Sequence, residues 1–175
     1  MRAILKCVAG VAFVALSVFI GTGAARSARQ MPDFDWQTFT IPDFGTQVEY
    51  PAGVFDVSEG KAEKGVGERF STSDGRALLT IYSRANEAGD TPASYLKANL
   101  RLPRSSLDYE RITPTFFAIS SVRERLVYYS RCNFSAGAEA ALHCFDMVYP
   151  QREQRAWDAI VTRISRSLRP LERGT

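Results

Sequence analysis

Apolar and polar positions alternate with a period of two in several short runs of this chain, and recur at helical spacing in two others. The longest apolar-rich pair is residues 126–134 (LVYYSRCNF) and 141–149 (ALHCFDMVY), joined by the small residues of 135–139 (SAGAE). Both runs are dense in β-branched and aromatic residues, which predicts the two arms of a hairpin. A symmetric register about the connection sets Cys132 opposite Cys144, Tyr128 opposite Val148 and Tyr129 opposite Met147. Large apolar groups then stand on both faces of each arm. That pattern belongs to central strands with a helix layer over at least one face.

The rest of the chain supplies partners for this hairpin. Trp36 and Phe39 mark the first ordered piece, and Thr46, Val48 and Tyr50 alternate with Gln47 and Glu49 in a strand stopped by Pro51. Val54 and Phe55 read as the start of another short strand, whereas 58–67 (SEGKAEKGVG) has no apolar period and reads as a solvated loop. Asp74-Gly75, between 68–72 (ERFST) and 77–82 (ALLTIY), predicts a two-residue type I′ turn that sets Phe70 opposite Leu79. Ala77 and Ile81 join those two in the core, and Arg69, Arg76, Thr80 and Tyr82 fall on the other face. Thr91 as N-cap with Pro92 at the first helical position opens a helix with Tyr95, Leu96, Asn99 and Leu100 inward and Pro103 beyond its end. Residues 109–112 and 116–121 read as two strands. From 152 to 168 a second helix carries Trp157, Ile160, Val161, Ile164 and Leu168 at spacings of three and four, with Arg155, Arg163, Arg166 and Arg169 on a solvated face. The class is α+β: a twisted antiparallel sheet with a mid-chain helix and a C-terminal helix packed on it.

Composition changes this picture at one end. Arg2 and Lys6 precede the apolar run 7–20, and small residues follow up to Ala25. These are the three regions of a secretory signal peptide, with cleavage expected after Ala25; the run is shorter than the ~20 residues a membrane-spanning helix needs. The expected organisation is therefore a signal peptide (1–25), a flexible lead (26–35), a single domain (36–170) and a tail (171–175), in a periplasmic or extracellular protein without stable membrane insertion. Loss of Arg2 and Lys6 leaves 20 basic residues against 19 acidic ones. So even a balance gives no basic excess for nucleic acid. Cys7 departs with the signal, and Cys132 and Cys144 remain as an even pair for a disulfide, expected beneath the tryptophan-bearing terminal helix.

Chemistry is sparse. His143 is the sole histidine, so any nucleophile–histidine machinery passes through it, and it reads as a histidine satisfied locally on a sheet surface. One histidine beside two oxidised cysteines leaves no zinc set, and Gly65-Val66-Gly67 lacks the lysine and helix of a phosphate loop, so neither metal nor cofactor is expected. Asp146 on an apolar strand needs a partner, for which Arg131 or Arg125 is the expectation. The leading reading is a non-catalytic binding or accessory module with Arg69, Arg76 and Tyr82 as candidate contacts to an envelope protein or small ligand. The competing one is a small periplasmic hydrolase using His143 or paired carboxylates.

The stretches 48–51 (VEYP), 74–77 (DGRA), 91–96 (TPASYL) and Tyr149-Pro150 before the last helix are similar to segments of small uncharacterised exported proteins of Gram-negative bacteria. More distantly, the order of elements resembles the PsbP-like fold, named for an extrinsic accessory protein of the photosynthetic oxygen-evolving complex. The resemblance covers nearly the whole mature chain and rests on turn and core residues. It implies a fold and, by analogy, an accessory or binding role.

Overall fold

Hydrogen-bonded strands β1 (Trp36–Ile41) and β2 (Thr46–Pro51) open the fold, followed by β3 (Val57–Lys61), β4 (Val66–Ser71) and β5 (Leu78–Ala85). Helix α1 (Pro92–Asn99) precedes β6 (Tyr109–Ile112), β7 (Phe116–Arg123), β8 (Leu126–Phe134) and β9 (Ala141–Pro150); α2 (Gln154–Ser167) and a short β10 (Arg169–Pro170) close it. This computed structural model describes residues 34–100, 102–137 and 140–171, all within the unit Pro32–Thr175. The expected signal peptide, nearly all of the expected lead and the end of the expected tail fall outside the described residues. Among those residues no helix is long and apolar enough to cross a membrane.

The α+β class is as expected. A seven-stranded antiparallel sheet runs β3-β4-β5-β9-β8-β7-β6, and β1-β2-β10 form a small second sheet. The β8–β9 hairpin is central, and its register pairs Cys132 with Cys144, Tyr128 with Val148 and Tyr129 with Met147. Period-two alternation then sorts side chains onto two faces. One face carries Leu79, Ile81, Phe145 and Met147, under α2 and the small sheet; Trp157, Ile160, Val161 and Ile164 of α2 descend into this larger core. The other carries Tyr82, Leu142, Phe117 and the two cysteines under Leu96 of α1.

Several expectations are corrected. Residues 57–61 form an edge strand and Val66-Gly67 open β4, so 58–67 is not one loop: all five residues of β3 are exposed, held by backbone pairing to β4 and by the Ser58–Glu68 and Ser71–Glu59 hydrogen bonds, and no side-chain period announces them. Val54 and Phe55 form a turn, both N–H groups donating to the Pro51 carbonyl, and this tucks Phe55 against Trp157 at 5.7 Å between ring centroids. At the Asp74-Gly75 corner the Phe70–Leu79 register holds, but only Gly75 has a positive φ (67°), which rules out type I′. Gly75 N–H instead donates to the Thr72 carbonyl, and the Thr72 hydroxyl donates to Asp74 across the longer turn. Two consecutive left-handed residues occur at Glu124 (φ 52°) and Arg125 (φ 63°), between the Arg123–Leu126 pair that ends β7 and begins β8. Thr91 is the N-cap of α1 as expected and Ser94 completes a reciprocal cap the sequence reading did not include, but Asn99 is exposed, since the helix ends there. The disulfide lies in the α1 layer rather than beneath Trp157, because Cys132 and Cys144 are even-numbered residues of β8 and β9, whose odd-numbered residues face α2.

Candidate functional site

Each residue singled out in the sequence has a defined place. Cys132 and Cys144 are bonded, with Cα atoms 4.1 Å apart and no exposed surface. Leu96, Phe117 and Phe134 cover the bridge. No thiolate chemistry is available at sulfurs sealed this way.

His143 lies in the interior, 1% exposed, and not on a sheet surface. β9 alternation aims it at the small sheet, where its Nδ1 is 2.6 Å from the Thr46 hydroxyl, itself 2.6 Å from the Ser83 hydroxyl. Thr46 and Ser83 have no exposed surface either, so this polar chain ties β2 to β5 and β9 and offers no nucleophile to a substrate. Nε2 has no hydrogen-bond partner among the described residues, and burial pushes the imidazole below its ordinary pKa.

Asp146 does not meet Arg131 or Arg125. Its oxygens accept from Lys64 Nζ (2.6 Å) and Ser130 Oγ (2.6 Å). The register explains why: Arg131 pairs with Phe145 and faces α2, whereas Ser130 pairs with Asp146 on the α1 side. Arg125 is held in the turn beyond β7. Among the described residues no group of three or more histidine, cysteine or acidic side chains is placed to hold a metal.

Arg69, Arg76 and Tyr82 do not converge. Arg69 contacts Glu63 at 3.2 Å. Arg76 sits in the hairpin loop and bridges Asp74 (2.7 Å) to Glu153 at the start of α2; hydrogen bonds from Thr72 and Arg76 hold the Asp74 carboxyl down at about 2. Tyr82 is 3% exposed under α1, and burial raises its hydroxyl pKa far above the ordinary range. Its ring is core, not contact surface, because Tyr82 pairs with Cys144 in the row that α1 covers.

A cluster missed in the sequence stands where β6, β7 and β8 run past the flank of α2. In-register pairing places Arg111 opposite Ala118 and Ala118 opposite Arg131. Both guanidinium groups lie over the Phe116 ring, at 5.4 Å for Arg111 and 4.1 Å for Arg131. Arg131 donates through Nε to Asn133 Oδ1 (3.1 Å), and Asn133 donates to the Leu168 carbonyl (2.7 Å), which anchors the guanidinium against the end of α2. Burial, reinforced by Arg111, lowers the Arg131 pKa from its ordinary value. The sequence signal is Tyr-x-Arg at 109–111 and again at 129–131, but joining the two needs the β6–β7–β8 register.

No protein-family model and no curated protein sequence matches this chain. Among solved structures the chain is similar to the solution structure of cyanobacterial PsbP (CyanoP) from Synechocystis sp. PCC 6803, with a TM-score of 0.55 at 11% identity, over 77% of this chain and 92% of that one. At that identity the likeness is one of fold.

Proposed function

We propose that this chain, built on a PsbP-like fold, is an exported accessory module of the cell envelope, a non-catalytic protein that binds an envelope protein or a small ligand. The observation that carries the reading is the Cys132–Cys144 bridge, wholly buried in the middle of the large sheet, since a structural disulfide of that kind needs an oxidising compartment to form. The basic, apolar and small-residue regions of the first 25 residues supply the route out. The accessory role rests on the fold shared with CyanoP and on the burial of the one histidine away from solvent.

Fractionation of cells producing the protein, with mass spectrometry of its N-terminus and alkylation of free thiols before reduction, tests this reading. The expected result is a periplasmic or secreted protein that begins at Arg26 and takes up no alkylating label until reduced. A cytosolic protein that retains Met1 and labels at Cys132 and Cys144 overturns it.

A further inference from the structure

The strands β6, β7 and β8 alternate two arginines onto the α2-facing side and no carboxylate. Asp108 and Glu110 are the acidic residues nearest in sequence, and both are engaged elsewhere: Asp108 accepts from the Val122 N–H (2.7 Å), and Glu110, one residue out of phase, contacts Arg104 (3.5 Å) on the opposite side. Ala118 between the arginines is 2% exposed, so no side chain rises to separate them. Elsewhere basic residues do meet acids, among them Arg69 with Glu63, Arg76 with Asp74 and Glu153, and Arg163 with Glu49. Among the described residues Arg111 and Arg131 meet no carboxylate: both lie over Phe116, and Arg131 is held besides by Asn133 and the Tyr129 hydroxyl.

Arg131 is half-buried and the exposed Arg111 shares its aromatic ring, so the pair carries a desolvation and repulsion cost that a carboxylate relieves by accepting two parallel N–H donors from a guanidinium. Beside them β6 is the last strand of the sheet, its outer edge without a strand partner among the described residues, and Tyr109 is 45% exposed on the arginine side. An unpaired edge, an exposed tyrosine and a pair of arginines are the elements by which a sheet rim takes up an extended peptide. The near-neutral balance of the mature chain argues against a polyphosphate backbone as the occupant, because that binding draws on a broad basic excess.

We propose that Arg111 and Arg131, splayed over Phe116 at the β6 rim, form a docking site for an acidic segment of a partner protein, whose carboxylates pair with the two guanidinium groups. This rests on the binding-module reading above, but not on its export part: a cytosolic location would sink the latter and leave the docking measurement standing.

The test is titration of the purified protein with a synthetic peptide of alternating glutamate and threonine, followed by calorimetry and by backbone NMR. The expected result is saturable binding with shifts centred on β6 to β8, weakened about tenfold by Arg131→Gln and by Arg111→Gln, and unchanged by Arg76→Gln. The glutamine-for-glutamate peptide should not bind. Arg111 is exposed on an edge strand, so Arg111→Gln keeps the fold even if Arg131→Gln does not, and retention of the wild-type melting temperature identifies the variants to compare. Equal affinity for the glutamine peptide, displacement by inorganic phosphate at the same concentration as glutamate peptide, or undiminished binding by a folded Arg111→Gln variant overturns the proposal.

Discussion

His143 illustrates what burial does to a lone titratable side chain. In the folded chain its imidazole is held below its ordinary pKa by desolvation, whereas the unfolded chain titrates near ~6.5. As pH falls, the unfolded state takes up the proton first, so the stability tied to neutral His143 is whole above ~6.5 and is lost as pH falls from there through the folded value. Melting temperatures at about pH 7.5 and pH 5.5 should therefore show a larger drop for the wild type than for His143→Gln. An equal drop in both would place the acid sensitivity elsewhere. Gly67 makes a second residue-scale point, since a Cβ built there would stand 2.0 Å from the Ile81 carbonyl oxygen of β5. Gly67→Ala must push β4 away from β5, and a loss of about 2–4 kcal/mol in urea unfolding is expected.

At the scale of elements, turns and bridges set the strand pairings. Glu124 and Arg125 adopt left-handed backbone without glycine or asparagine, a conformation that costs an L-residue roughly 1 kcal/mol. Replacement by Asn-Gly should raise stability by about 1 kcal/mol without altering the Arg123–Leu126 register, as measured by chemical denaturation. The Cys132–Cys144 bridge closes a sequence separation of 12 between adjacent strands. Its removal in Cys132→Ala/Cys144→Ala should cost about 3 kcal/mol and lower the melting temperature by roughly 10 °C. Both strands of this hairpin were legible in the sequence, β8 to the residue and β9 but for Pro150 at its end, because β-branched and aromatic runs flank a stretch of small residues. Edge strand β3 was not: pairing on one side, with every side chain exposed, leaves no period to read.

Across the whole molecule, the two sides of the seven-stranded sheet differ in depth of cover. The α2 side, with the small sheet, holds Trp157, which stacks on Tyr149 at 5.5 Å and burial of which helps to join layer to sheet; the α1 side rests on eight residues of helix. Trp157→Ala is expected to cost about 3–5 kcal/mol, and Thr91→Ala, which removes one half of the α1 capping box, about 1 kcal/mol. Thermal unfolding followed by near- and far-ultraviolet circular dichroism distinguishes them: coincident loss of both signals in Trp157→Ala would show the α2 layer to be integral to one cooperative unit. The candidate contacts fared differently from the core. Asp-Gly alternation placed Phe70, Leu79 and Ile81 correctly, yet Tyr82 on the opposite face is buried too, because α1, the next element along the chain, folds back across it.

By itself the sequence determined the α+β class, the central hairpin with its cysteine register, the α1 cap and the apolar stripe of α2. Each of these depends on side-chain period or turn chemistry within a few neighbouring residues. Only the tertiary structure decided that His143 is interior, that Lys64 rather than an arginine meets Asp146, and that Arg111 and Arg131 share a ring. The first two arise where strands far apart along the chain are laid side by side and the third from the register of three successive strands, in which a one-residue step carries a side chain to the opposite face.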